Sequence, residues 1–336
     1  MADRRDSKAE GSRGVRRLAT RPIVEAGALP GYGPLFNAGL VHHEGRYHLF
    51  VRAVRDGYRA GDAGGPRFVD YVSDIVVFTS IDGLAYEYGY VLARAEEGFC
   101  FEDPRVQWVR DHAGEHLVMT YTRLASDGSW RIGAHRVRWD GERFETDEAS
   151  GRVLGPRDLN NKDAVVFTLA DGRVALIHRI HPDMQLAIFD DVDQLWDAPD
   201  DYWDEHVAAI GEHTILSPAP GALGIGAGAP PVPTRAGLLL FFHERRADGV
   251  YTMNVALLDE ATGRVRSRME HAVLEPELEW ERCGDVDDVI FVQGAHLEGD
   301  EVYLTYGAAD RCVGAAVASV SEILEALGLV EDVEAA

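Results

Sequence analysis

The stretch Asp103-Pro104-Arg105-Val106, followed after a Gly-containing turn by Leu117-Val118-Met119-Thr120-Tyr121, holds the pattern on which the fold turns. It reads as a polar residue, an apolar strand, a turn and a second, aromatic-rich strand. The order returns at Asn37 (Asn-Ala-Gly-Leu-Val, then Tyr47 to Val51) and at Asp163 (Asp-Ala-Val-Val-Phe, then Val174 to His178). It returns again near Ala229 (Ala-Pro-Pro-Val, then Leu238 to His243) and at Asp288 (Asp-Val-Ile-Phe, then Val302 to Tyr306). The starts are 66, 60, 66 and 59 residues apart, room for about four strands per unit, the content of one propeller blade. A blade cannot bury both faces alone, so the units must stack around an axis. Their innermost strands then run along a central channel, and Asn37, Asp103, Asp163 and Asp288 are expected to gather at one mouth of it. The expected fold is all-β, a five-bladed β-propeller with a short C-terminal helix. A pair of β-sandwiches is the competing architecture.

Outside this repeat, helical periodicity is visible in two places, Asp191 to Trp196 and Val320 to Leu327. The first residues, Met1 to Thr20, are polar and basic with no apolar h-region, so they do not read as a secretory signal. Residues 1–25 are expected to be a disordered basic tail and residues 26–336 a single catalytic propeller domain.

Of the 336 residues 46% are apolar and 27% charged, the balance of a globular protein with a large core. No apolar run reaches the roughly 20 residues that span a bilayer, which argues against a membrane. The three cysteines, Cys100, Cys283 and Cys312, have no metal-ligand spacing and make a poor disulfide framework, which points to the cytoplasm. A formal net charge of −24 repels phosphate backbones and argues against nucleic acid. An anion site in this chain needs a local cluster of Arg, Lys and His. No Gly-rich phosphate loop, Ser-His-Asp order or metal cluster is present, so no metal or cofactor is expected. Self-association into a homo-oligomer is left open.

Several side chains stand out by position. Arg52, Arg55 and Arg59 follow the second strand of the first unit and can clamp sugar hydroxyls or anionic oxygens, or simply face solvent. His178 and His243 end equivalent strands in neighbouring units and can face one pocket or sit satisfied in the core. Tyr32, Phe101, Trp130 and Trp203 can stack on sugar rings, although core packing explains most aromatics in a propeller.

The ordered set Phe36-Asn37-Ala38-Gly39, Arg52-Ala53-Val54-Arg55, Ser80-Ile81-Asp82-Gly83, Glu102-Asp103-Pro104-Arg105, Lys162-Asp163, Gly226-Ala227-Gly228-Ala229-Pro230-Pro231 and Tyr306-Gly307-Ala308-Ala309-Asp310 resembles glycoside hydrolase family 130. That family contains inverting β-mannoside phosphorylases and related β-mannosidases, and the resemblance spans roughly residues 30 to 325. It implies that Asp103 is the general acid and that Asn37, Arg52 and Asp310 hold the mannose at the cleavage point, with Glu102 beside them. It places Lys162, Asp163, Arg179, His243 and Tyr251 at or near the phosphate-binding positions. One departure stands out: the phosphorylases usually carry a lysine just before Ile225-Gly226-Ala227-Gly228, where this chain has Gly224.

Inverting hydrolysis needs a carboxylic acid for the leaving oxygen and a second carboxylate to activate water. Phosphate is already anionic, so phosphorolysis needs one acid plus cations that hold phosphate in line with the bond. Asp103 suits the acid if like-charge repulsion from Glu102 raises its pKa. The cationic set Arg52, Lys162, Arg179 and His243 favours a phosphorylase acting on a β-mannoside with inorganic phosphate as co-substrate. Gly224, with Glu244 or Asp163 as water-activating base, favours an inverting β-mannosidase, and a non-catalytic sugar-binding propeller is the third reading.

Overall fold

The computed structural model describes residues 14–61, 67–95 and 98–329. Five antiparallel sheets follow one another around an axis. The first blade pairs Tyr32–His43, Arg46–Arg55, Ser73–Ser80 and Glu87–Ala93, and the second Phe99–Arg110, Glu115–Ala125, Trp130–Trp139 and Phe144–Leu154. The third pairs Lys162–Thr168, Val174–Ile180, Asp183–Phe189 and Thr214–Leu216. The fourth runs from a split inner strand, Gly224–Ala227 and Val232–Thr234, through Gly237–Arg245 and Tyr251–Leu258 to Val265–Arg268. Ile290–Glu298, Glu301–Ala308 and Cys312–Ser319 make the fifth.

The apolar runs that revealed the repeat are continuous because each blade is buried on both faces. Leu49 and Val51 pack with Val313 and Ala315 of the fifth blade. Between them Phe50 points the other way, onto Val106, Leu117 and Met119 of the second. The same alternation fills the remaining interfaces, with Val166 and Leu176 meeting Val109 and Ile132, Val165 and Ile177 meeting Leu240 and Phe242, and Phe241 and Val255 meeting Val292 and Leu304. Among the described residues no helix is long and apolar enough to cross a membrane.

The expected tail boundary at residue 25 is corrected by the structure. Val15–Arg17 is the outermost strand of the fifth blade, in register with Ala316 to Ala318, and Ile23 and Val24 bond to Val313. Nothing covalent closes a ring of blades, so an N-terminal strand in the last sheet joins its ends. The stretch is basic because Arg17 is spent on the fully buried Glu281, donating to Oε1 and Oε2 at 2.7 Å each. Residues 1–13 lie outside the described residues. Arg17→Ala leaves that carboxylate without its cation and should cost about 3 kcal/mol of stability; urea unfolding of the two proteins measures the difference.

Helices form at the two expected places, Val192–Trp196 behind an Asp191 cap and Val320–Ala326 behind a Ser319 cap. Helical turns at Asp200–Ala208, Ile210–His213 and Glu279–Arg282 were not expected. Asp200–Ala208 buries only Trp203 and His206, a stripe too narrow to show as periodicity. The expected strand start at Ala229 falls in the break of the fourth blade's inner strand, where Pro230 and Pro231 offer no N–H to the ladder.

Candidate active site

Asn37, Asp103 and Asp163 share a backbone cause. The inner-strand ladder slips by one residue between Phe36 and Gly39, between Glu102 and Arg105, and between Lys162 and Val165. At these bulges Asn37, Asp103 and Asp163 have left-handed φ values of 47°, 51° and 55°, a region Asn and Asp enter more readily than other side chains. The bulge re-aims each side chain toward the axis. Asn37 Nδ2 donates to Asp103 Oδ1 at 2.8 Å, and a Cβ on Gly307 would overlap the Asn37 side chain, so a glycine stands there. The expected fourth member does not join them: Asp288 pairs with Arg282 at 3.3 Å, because the fifth blade's register shift lies further along, between Val292 and Gly294.

Arg105, fully buried, ties the cluster together. It donates to the Asp103 carbonyl at 3.1 Å, to Asp163 Oδ1 at 3.4 Å, and to the carbonyls of Ala227 and Gly228 at 2.7 and 2.8 Å. Arg52 donates to Asp103 Oδ1 at 3.1 Å and to Glu102 Oε1, with its guanidinium over the rings of Phe36 and Tyr71.

These groups open on a cavity of about 450 Å³ lined by Asn37, Arg52, Glu102, Asp103, Lys162, Tyr251 and Asp310 among others. Lys162 stands 6.0 Å from the Trp130 ring centre, and Trp130 is the one of the four expected sugar-stacking aromatics that lines the cavity. Asp163, Arg179 and His243 are not on its wall; they form a group beside it, with Asp163 and His243 buried and Arg179 partly exposed. Asp163 Oδ2 lies 3.1 Å from Arg179 Nε and 3.5 Å from His243 Nε2, and the His243 ring stacks on Phe291 at 4.0 Å.

The other candidates go elsewhere. Arg55 is spent on Asp74, with contacts of 2.7 and 2.9 Å, and Tyr32 donates to the same carboxylate. Arg59 is exposed, while Phe101 and Trp203 are core residues. His178 is buried against Asn161 and His206 at 3.2 and 3.1 Å, so the core reading holds for it. Glu244 accepts from Arg268 at 2.9 Å and from the Ala219 N–H at 3.1 Å, so it is not a free base facing Asp103.

The electrostatics reverse one expectation. Burial pushes the Asp103 carboxyl up, but Arg52, Lys162, Arg105 and the Asn37 hydrogen bond together hold it below its ordinary value. Glu102 is the raised partner, through burial and the neighbouring Asp103 against the pull of Arg52. Burial, with like-charge repulsion from Asp103, therefore lifts Glu102, which has fewer donors. His243 is pushed down by burial against the pull of Asp163, so it is a neutral hydrogen-bonding ring and not the expected cation. Asp163 is held far below the carboxylate range by Arg179, Lys162 and His243, which outweigh its burial.

Asp310, with φ of 51°, is pushed up to about 6 by burial and by Asp103 and Glu102, against the pull of Arg52. The folded state thus holds a proton that the unfolded chain releases, so Asp310 opposes folding increasingly as pH rises from about 4 to about 6. The stability gained by Asp310→Asn should therefore grow across that window and level off above it. Thermal melts of both proteins between pH 4 and 7 would show it.

Sequence reasoning missed Arg67, Phe68, Tyr71, Leu124, Arg245, Val286, Val289 and Phe291 on the cavity wall. Arg67 to Tyr71 come from the excursion between Arg55 and Ser73, too long for a hairpin turn, and that length was the available signal. Arg245 sits two residues beyond His243 on the same strand face.

Acid, guanidinium pairs and ring faces gathered at the axis of a propeller define the class, an enzyme that opens glycosidic bonds. The chain belongs to glycoside hydrolase family 130: the family model, described as beta-1,4-mannooligosaccharide phosphorylase, matches residues 26–329. The 1,2-beta-oligomannan phosphorylase of Thermoanaerobacter sp. (strain X514) is 28% identical over 92% of this chain and 98% of its own. The beta-1,4-mannooligosaccharide phosphorylase of Ruminococcus albus is 25% identical over 93% and 90%. The beta-1,2-mannobiose phosphorylase of Listeria innocua, solved with beta-1,2-mannobiose, shares the fold at a TM-score of 0.74 and 21% identity, over 94% of this chain and 99% of its own.

Proposed function

We propose that the chain is an inverting β-mannoside phosphorylase, converting a β-mannosyl disaccharide or oligosaccharide and inorganic phosphate to α-mannose 1-phosphate. The observation that carries this reading is Asp103 and Lys162 on the wall of one cavity, with Arg179 and His243 packed beside it. In this reading Asn37, Arg52 and Asp310 hold the mannosyl unit, with Glu102 fixed by Arg52, and Lys162, Arg179, His243 and Tyr251 receive phosphate. Asp163 is ionised and would repel phosphate; it orients Arg179 and His243 instead.

Asp103 gives its proton to the glycosidic oxygen as the C1–O bond breaks, and a phosphate oxygen forms the new bond on the opposite face. The hydrogen carried by hydrogen phosphate then restores the acid. Lys162 and Arg52 hold the Asp103 carboxyl low, and a phosphate dianion beside Lys162 opposes that field. Phosphate binding thereby raises the carboxyl toward the protonated form that the reaction needs.

The named relatives act on β-1,2 and β-1,4 linkages, so both mannobioses are the substrates to try. Incubation with phosphate should yield α-mannose 1-phosphate, and omitting phosphate should stop sugar release. One observation favours the second reading, hydrolysis: Gly224 stands where the phosphorylases usually carry a further lysine, which leaves Lys162 without that second cation. Free mannose at equal rates with and without phosphate would establish hydrolysis in place of phosphorolysis.

A further inference from the structure

Gly224 and Arg245 stand directly opposite each other in the antiparallel pair between the inner strand of the fourth blade and its neighbour. Side chains at such positions leave the sheet on the same face, with Cβ atoms about 5 Å apart. A Cβ on Gly224 would have as nearest atoms Arg179 Nη1 at 3.7 Å and the His181 ring at 3.9 Å. Position 224 therefore looks onto Arg179.

Arg245 looks onto the same corner from the other side of the rung. Its guanidinium lies 5.5 Å from the Tyr251 ring centre and lines the cavity together with Lys162 and Tyr251. Among the described residues it makes no ion pair with a carboxylate, unlike the next residue, Arg246, which is held by Asp248 and Glu275. A cation on the wall of the cavity that Lys162 also lines, paired with no carboxylate among the described residues, is placed for an anionic ligand. Lys162 is moreover the one lysine among the described residues, so the remaining positive charge of this corner must come from arginine.

We propose that Arg245 supplies the phosphate-binding cation that Gly224 does not, the charge having moved across one rung of the ladder. The inference rests on the phosphorylase reading above. It adds Arg245 as a phosphate ligand and explains how a glycine at 224 is compatible with phosphorolysis.

The test is the kinetics of the full chain with inorganic phosphate and the preferred mannobiose, for Arg245→Gln and for the double variant Gly224→Lys with Arg245→Gln. A Cβ at 224 meets no atom closer than 3.7 Å and the residue is outside the left-handed region, so a side chain can begin there without a clash. Arg245→Gln should raise the KM for phosphate about tenfold, the scale of one charge-assisted hydrogen bond, while the KM for the sugar moves less than about twofold. Lysine at 224 should recover most of the loss. An unchanged phosphate KM in Arg245→Gln, or an equal rise for sugar and phosphate, overturns the proposal. Phosphate-independent mannose release by the unsubstituted protein overturns the phosphorylase reading instead, and this inference with it.

Discussion

Replacing Asp103 by Asn should leave the fold and sugar binding nearly intact and lower turnover by at least about a hundredfold, the usual scale for a general acid. The amide keeps the size of the carboxyl and an oxygen for Asn37 and Arg52, which both donate to Oδ1. It cannot deliver a proton to a leaving oxygen. Mannosides with activated leaving groups need less protonation and should retain more of their rate. The raised neighbour sharpens the comparison, because Glu102 also lines the cavity and holds its proton more readily in the free protein. Glu102→Gln should disturb the Arg52 contact and shift the pH profile while sparing turnover relative to Asp103→Asn. Near-normal turnover in Asp103→Asn at an unchanged melting temperature would remove Asp103 from the mechanism, and a larger loss in Glu102→Gln would transfer the role.

The propeller was legible because each blade is sandwiched between two others. Phe50 and its neighbours Leu49 and Val51 face different blades, yet all are fully buried. Their strand therefore reads as one apolar run that repeats at blade spacing. The closing strand Val15–Arg17 gives no such signal. It has three residues, of which only Val15 is buried, and its arginines pair with Glu301 and Glu281 far along the chain. Long-range pairing of this kind leaves a basic stretch with nothing local to mark it as a strand.

The same distinction divides the site. Asn37, Asp103 and Asp163 were legible because a left-handed bulge at a fixed point of the repeat selects Asn or Asp, so backbone geometry wrote their positions into the sequence. Asp288 matched the pattern in residue type and in its left-handed φ of 56°, but it precedes the fifth blade's inner strand instead of sitting at its bulge, and its side chain went to Arg282. Arg67, Phe68 and Tyr71 reach the cavity from an excursion that belongs to no repeat, held by Arg67 donating to the Asp285 carbonyl at 2.7 Å and by Tyr58 to the Asp285 carboxylate. No period predicts such a loop. Protonation states were the least legible, since the order of Glu102 and Asp103 depends on which acid Asn37 and Arg105 reach in three dimensions.

Arg179→Ala should raise the KM for phosphate about fiftyfold while changing the KM for the mannoside only a few-fold. The guanidinium reaches Asp163 through Nε at 3.1 Å and the Ile225 carbonyl through Nη1 at 3.4 Å, which fixes its plane beside Gly224. A planar group held in this way meets phosphate with little further loss of side-chain freedom. One or two charge-assisted hydrogen bonds then account for about 2–3 kcal/mol, which is the expected change in KM. The substitution also removes one of the cations around Asp163, yet Arg105 still contacts that carboxylate at 3.4 Å, so the folded protein should survive for the assay. His243→Ala should act in the same direction with a smaller effect, because the ring is neutral and offers a hydrogen bond without full charge. Steady-state rates with phosphate and mannobiose varied independently separate the two KM values. Equal increases in both would place Arg179 at the sugar, and no change in either would leave it a structural partner of Asp163.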